Sequence, residues 1–217
     1  MSLELIVLDC DGVILESVEV KTQAFARLFK AHGPESVQWF VEFHQAHGGV
    51  SRFEKFAWYY REVLGREITV EESHELGERF TRYCLEGVLA APFVPGAREF
   101  IQTYHQVLPL CVASGTPHEE LTEIFRARDL HGYFRTVRGT PPGKTELLAG
   151  IVRDFGVEPG TVLMVGDSST DLQAAQAVGT LFYGRGREFA DSAWPWGLDL
   201  TGLGAHVDLL RQGPMRP

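Results

Sequence analysis

Cysteine is scarce in this 217-residue chain, with three residues in all. An odd, low count excludes a disulfide framework and fits a reducing compartment. Glycine and proline together stay well below the ~25–30% of low-complexity chains, so disorder by composition is excluded. Basic residues are outnumbered, 20 Lys+Arg against 29 Asp+Glu, for a formal charge of −9. That balance argues against a sequence-independent nucleic-acid binder, which works through clustered Lys and Arg. No apolar run approaches the ~20 residues that cross a bilayer. The first residues, MSLELIVLDCDG, lack a basic leader and place acids around a short apolar run, so they do not read as a signal peptide. Cytoplasm is the expected location. No internal repeat is present.

What the chain does contain is 44% hydrophobic and 23% charged residues, the balance of an ordinary globular protein. Its length fits about one domain, or one domain with a large insertion. Leu3–Leu8 is a short apolar run ending at an aspartate and a turn, the pattern of a buried parallel strand. Val107–Ala113, Thr161–Val165 and Thr180–Tyr183 look similar, and Phe134–Arg138 is a weaker member. Helical patterns lie between them at Ala97–His105, Pro117–Arg128, Thr145–Phe155 and Thr170–Val178. Strand alternating with helix predicts an α/β fold with a Rossmann-like parallel sheet.

From about Val18 to Ala91 this rhythm stops. Ala24, Phe25, Leu28 and Phe29 recur at helical spacing. So do Phe53, Phe56, Ala57, Tyr60 and Leu64, and then Leu76, Phe80, Tyr83 and Val88. The expected organisation is a core of residues 1–17 and 90–217 with an all-helical insertion, 18–89. Ala91–Gly96 is the return linker. The tail from Gln212 to Pro217 is expected to fray.

Ligands of an open parallel sheet bind at the carboxyl ends of its strands. After the first run come Asp9 and Asp11, two apart and so facing the same way on an extended chain, followed by Gly12. Ser114-Gly115-Thr116-Pro117 follows the second run, and Gly143-Lys144 follows the weak one. Gly166-Asp167-Ser168-Ser169-Thr170-Asp171 follows the fourth. Clustered acids need a divalent cation, and hard oxygen ligands favour magnesium. Lys144 and the Ser114 hydroxyl are donors for an anionic substrate. Thr116-Pro117-His118-Glu119 reads as a capping box with proline at the first helical position. Lys144 opens a second helix, so two helix N-termini are expected to form an anion site. Asp167 and Asp171 share a helix face if the helix begins early enough.

Asp9-x-Asp11-Gly-Val, Ser114-Gly-Thr, Lys144 and Gly-Asp167-Ser-x-x-Asp171 resemble, in order, the four motifs of the haloacid dehalogenase superfamily. The insertion is similar to the helical cap of its phosphoglycolate phosphatase and β-phosphoglucomutase branch. The resemblance implies a Mg²⁺-dependent phosphatase acting on a small phosphorylated metabolite, with Asp9 as nucleophile and Asp11 as acid/base. It implies metal ligation by Asp9, Asp167, Asp171 and the main-chain carbonyl of Asp11. Phosphate contacts fall to Gly12, Ser114, Gly115 and Lys144. Asp11 argues against the dehalogenases and phosphonatases, which lack this second acid. A mutase remains the alternative, although Lys21 stands where the mutase has a histidine. Glu16-Ser17 departs from the usual Asp-Ser, and Thr145 from the usual proline. From other classes, a receiver-like domain or a non-catalytic phosphate-binding module is also open.

Arg52, after Gly49-Val50-Ser51, resembles part of the cap's specificity loop. It is either a contact for a second anion on the substrate or a solvated surface arginine. His44 and His47, with Glu42, lack a fourth metal ligand and read as a polar helix face. Cys10 reads as a packed small side chain, and Arg185-Gly-Arg187 as a loop rather than a basic patch. Trp194 and Trp196 are left as a core anchor or a dimer contact.

Overall fold

Leu5–Leu8 forms β1, and all four residues are buried. In the computed structural model, which describes residues 2–212, this strand lies inside a six-stranded parallel sheet. Its partners are β2 (Leu110–Pro117), β3 (Thr136–Thr140), β4 (Val162–Gly166), β5 (Leu181–Arg185) and β6 (Trp196–Gly197). The order is β3-β2-β1-β4-β5-β6, with Ile6 opposite both Leu110 and Leu163. The chain winds outward from β1 to β3, then restarts on the other side at β4. The reversal leaves a crevice at the carboxyl ends of β1 and β4, where sheets of this order bind ligands.

Alternation along the strands makes the two layers. Ile6, Leu8, Leu110, Val112, Leu163 and Val165 face α5 (Ala97–Tyr104), α6 (His118–Ala127) and α9 (Leu203–Gln212). Leu5, Val7, Cys111, Ala113, Val162 and Met164 face α7 (Lys144–Phe155) and α8 (Ser169–Val178). The first cluster continues into four helices inserted after β1. These are α1 (Val18–Phe29), α2 (Pro34–Ala46), α3 (Arg52–Glu62) and α4 (Val70–Ala90). Phe25 packs tilted against Phe80 at 4.2 Å and Phe29 against Tyr59 at 4.1 Å between ring centroids, so rings from all the apolar stripes meet at one centre. A capping box between Thr69 and Glu72 starts the 21-residue α4.

Three expectations change. Strand β2 runs on to Pro117, so Thr116 lies in the strand and caps nothing; α6 begins at His118 without a side-chain cap. The Thr116 hydroxyl is already bonded to Asp11 and Lys21, which takes it away from the helix. Helix α8 starts at Ser169, leaving Asp167 outside it. Strand β6 has only two residues and no alternation to announce it. Beside it, Trp194 meets Phe182 edge-on at 6.1 Å, an anchor to the core, while Trp196 is partly exposed. Gln212 is the last residue of α9, and the remainder of the tail expected to fray lies outside the described residues. Among the described residues, no helix is long and apolar enough to cross a membrane.

Candidate active site

Asp9 is the first residue beyond β1. Its amide donates to Val165 O at 3.0 Å, which ties the turn to β4. Its carboxylate is 2% exposed and accepts from Lys144 Nζ at 2.6 Å. Burial pushes this carboxyl up to about 6; Lys144 opposes that, and Asp171 and Asp11 reinforce it. The chain then turns through Gly12, at φ +73°. A Cβ there would lie 2.0 Å from Asp167 Oδ2, so the close approach of the two loops requires glycine.

Asp11 lines the same cavity as Asp9 but keeps different company. It accepts from Ser17 Oγ at 2.6 Å and Thr116 Oγ1 at 3.0 Å, and is ion-paired with Lys21 of α1. Burial would raise its pKa, but the Lys21 charge and these hydrogen bonds overcome that and hold it at about 2. Lys21 also donates to Thr116 Oγ1 at 2.7 Å. The Glu16-Ser17 pair divides its work. Ser17 serves Asp11, while Glu16 accepts from Arg185 at 2.5 Å, away from the Asp11 carboxylate.

Asp171 is fully buried in the first turn of α8, where it closes a capping box with Ser168. Its other oxygen accepts from Lys144 Nζ at 2.5 Å. A cation at the start of α7 faces the positive end of that helix. Two buried carboxylates compensate and raise the Lys144 pKa above its ordinary value despite burial. Asp167 meets Asp171 through the turn rather than along a helix face. Oxygens of Asp9, Asp167 and Asp171 lie within 4.8 Å of one another. Burial, then Asp171 and Asp9, push the Asp167 carboxyl well up. Among the described residues no side chain or amide donates to Asp167. Three carboxylates against one lysine leave negative charge uncompensated, and all three offer hard oxygen. The group fits a divalent cation such as magnesium. The Asp11 carboxylate, committed to Lys21, is not part of it.

Ser114 is fully buried in the second half of β2, its Oγ accepting from the Thr116 amide at 3.2 Å. Gly115 borders the cavity, and a Cβ on it would sit 2.3 Å from the Gly49 carbonyl. The loop before α3 therefore presses directly on the end of β2. That loop and α3 bring in Arg52, which is 5% exposed and not a solvated surface arginine. Its guanidinium is gripped by Glu120 of α6 through bonds of 2.9 and 2.7 Å. It also donates to Thr81 at 2.8 Å and stacks over Phe80.

Sequence reasoning missed Glu120, Lys55 and the burial of His44. Lys55 Nζ donates to His44 Nδ1 at 2.7 Å, both side chains being buried beside the cavity. The polar-face reading holds for exposed His47, stacked on Phe43, but not for His44. A signal existed: Lys55 lies on the same helical stripe as Phe56 and Tyr59, and His44 is four residues from Phe40. The cavity bordered by these groups measures about 70 Å³, the liquid volume of roughly two waters.

Residues 3–179 match the family model of the haloacid dehalogenase-like hydrolases. The chain is 24% identical over 189 residues to a phosphorylated carbohydrates phosphatase of Thermotoga maritima, covering 82% of each chain. It is 28% identical over 152 residues to a phosphoglycolate phosphatase of Mannheimia succiniciproducens, covering 63% of this chain and 66% of the other. The fold superposes on a β-phosphoglucomutase of Clostridium difficile with a TM-score of 0.80 and 16% identity over 97% of both chains. The first comparison covers the four strand-end motifs, and the last concerns the fold alone.

Proposed function

The chain belongs to the haloacid dehalogenase-like hydrolase family, and from that premise we propose that it is a magnesium-dependent phosphatase of small phosphate monoesters. The observation that carries the reading is the buried Asp9 carboxylate at the sheet's crevice, held by Lys144 beside the uncompensated Asp167. Relatives named as phosphatases support it.

Asp9 attacks phosphorus, forming a P–O bond to its carboxylate as the ester P–O bond breaks. The departing alkoxide takes a proton from Asp11. Water then attacks the aspartyl-phosphate, Asp11 accepts its proton, and inorganic phosphate leaves with Asp9 restored. The pairing with Lys21 keeps Asp11 in its basic form, suited to the second half. Loosening of that pair precedes the first half, in which Asp11 must carry a proton. Ser114, the Gly115 amide and Lys144 hold the oxygens of the transferring group, and Gly12 lets the two acidic loops close. Asp9, Asp167 and the Asp11 carbonyl would hold Mg²⁺, with Asp171 fixing Lys144 and the loop. When bound, the metal offsets charge on the phosphoryl oxygens. Residues 18–89 act as a cap over the core formed by 1–17 and 90–217, and the small cavity restricts the substrate to a metabolite.

Asp9→Asn tests the reading. Wild-type enzyme with Mg²⁺ should release phosphate from p-nitrophenyl phosphate, and the variant should lose at least a thousandfold while keeping its unfolding midpoint. Phosphate trapped on any other residue, or turnover retained by the variant, refutes the assignment.

A further inference from the structure

Two buried polar groups beside the cavity have no part in this mechanism. Lys55, 2% exposed, reaches it from α3, and His44 from α2. The other cations bordering it have carboxylate partners, Lys21 with Asp11 and Arg52 with Glu120. Lys55 forms no ion pair among the described residues. Its ammonium contacts only His44, at Nδ1 (2.7 Å) and at the main-chain oxygen (3.5 Å), with the Phe25 ring 5.7 Å away. When Lys55 is an ammonium it can only donate, so His44 Nδ1 then accepts and the neutral ring carries its proton on Nε2. Nε2 is itself buried without a partner. His44 Nε2 thus lacks an acceptor, and the Lys55 ammonium beside it lacks a counter-charge.

Charge divides along the same line. The carboxylates bordering the cavity, Asp9, Asp11 and Asp167, come from the ends of β1 and β4. The cations Lys21, Arg52 and Lys55 all come from the inserted helices. Arg52 is the cation that sequence alone marks for a second anion, but its fork is filled by Glu120. The cation left without a carboxylate is Lys55, beside the unpartnered His44 Nε2. Burial, and then the charge of Lys21, pull its pKa down to about 7, which an anionic neighbour would reverse.

We propose that Lys55 and His44 form the binding site for a second anionic group, a carboxylate or a second phosphate, on the same small skeleton as the scissile phosphate. This rests on the phosphatase reading and narrows it to phosphate esters that carry two anions. Arg52 and Glu120 tie α3 to α6 without touching that group.

The test compares kcat/KM for ethyl phosphate, 2-phosphoglycolate and ethane-1,2-diol bisphosphate, which present no second anion, a carboxylate and a phosphate. At least one dianionic ester should exceed ethyl phosphate tenfold or more in the wild type, and which one does so distinguishes carboxylate from phosphate. Lys55→Met should lower that ratio ten- to a hundredfold, and Lys55→Arg should restore much of it. His44→Gln should lower it about tenfold and decides the matter if Lys55→Met does not fold. Hydrolysis of all three esters with a ratio that these variants leave unchanged overturns this inference alone. If neither these three esters nor p-nitrophenyl phosphate releases phosphate, the phosphatase reading is overturned and this inference with it.

Discussion

Replacing Arg52 by methionine removes one half of a buried ion pair and leaves the other half behind. Glu120 is 8% exposed, and Arg52 supplies two of its hydrogen bonds. Without the guanidinium, one oxygen keeps the Thr81 hydroxyl at 2.7 Å and the other keeps no hydrogen bond among the described residues. Breaking such a pair from one side costs about 3–5 kcal/mol, because the remaining charge stays out of water. For a chain of this size that lowers Tm by about 6–20 °C. Glu120→Leu should be similarly costly, since it strands the guanidinium. The double variant should recover most of the loss, because an apolar pair replaces a desolvated ionic one. Urea unfolding of the four proteins, followed by circular dichroism, gives the cycle. A loss below about 0.5 kcal/mol for Arg52→Met, or strictly additive losses, would refute the reasoning. Activity carries a second readout. The pair joins α3 and α4 to α6, so its loss should reduce kcat/KM by similar factors on p-nitrophenyl phosphate and on esters with a second anion.

Chelator should abolish phosphatase activity and Mg²⁺ should restore it, with Asp167→Ala raising the half-saturating Mg²⁺ concentration at least tenfold; full activity in chelator refutes the metal assignment. Gly115→Ala should reduce turnover tenfold or more, because its Cβ would displace the Gly49 carbonyl and lift the insertion's loop from β2; unchanged kinetics refute that contact. Lys55 titrates near 7 when folded and near 10.5 when unfolded. Between those values the unfolded chain binds more protons, so stability should rise with pH across that window. Lys55→Met removes a penalty of about 4 kcal/mol at pH 7 and orphans His44 Nδ1 at about 1–3 kcal/mol, so the variant should be the more stable at pH 7 by about 2 kcal/mol. A less stable variant at pH 7 in denaturant titration refutes the unpaired charge.

Much of this site was legible because it is built from local sequence at strand ends. Asp9, Lys144, Asp167 and Asp171 each follow a recognisable apolar run or turn, and sheet topology alone brings such positions together. The division of labour between Asp9 and Asp11 came from the family resemblance and not from their spacing. Residues two apart face the same way on an extended chain, but the turn at Gly12 ends the extension, and Lys21 and Thr116 draw Asp11 aside. Thr116 misled for a related reason, since a hydroxyl before proline and Glu119 reads as a cap unless its tertiary partner is known. Glu120 and Lys55 were missed because a charged residue on an apolar helical stripe has no visible counter-charge until the helices are packed. Arg52 was noticed for its loop, yet its buried partner lies 68 positions away.

The pairings also imply how the insertion and the core cooperate. Lys21–Asp11 and Arg52–Glu120 both join an inserted helix to the core, so closure of the cap would turn hydrated charges into one part-buried and one buried pair. Exposed pairs contribute little, whereas buried pairs depend on geometry being complete. Lys55 would be carried into the same space with no carboxylate, and its charge would then oppose closure. A substrate with a second anion would remove that opposition, while a simple monoester would not. A ligand shifts an equilibrium only by its differential affinity for the two states. Lys55 would then select substrates through the closing step as well as through contact. On that account, Lys55→Met should raise kcat/KM for ethyl phosphate as it lowers that for the dianionic ester. Loss of the dianionic preference with no gain for ethyl phosphate, in the kinetics already described, would confine Lys55 to contact alone.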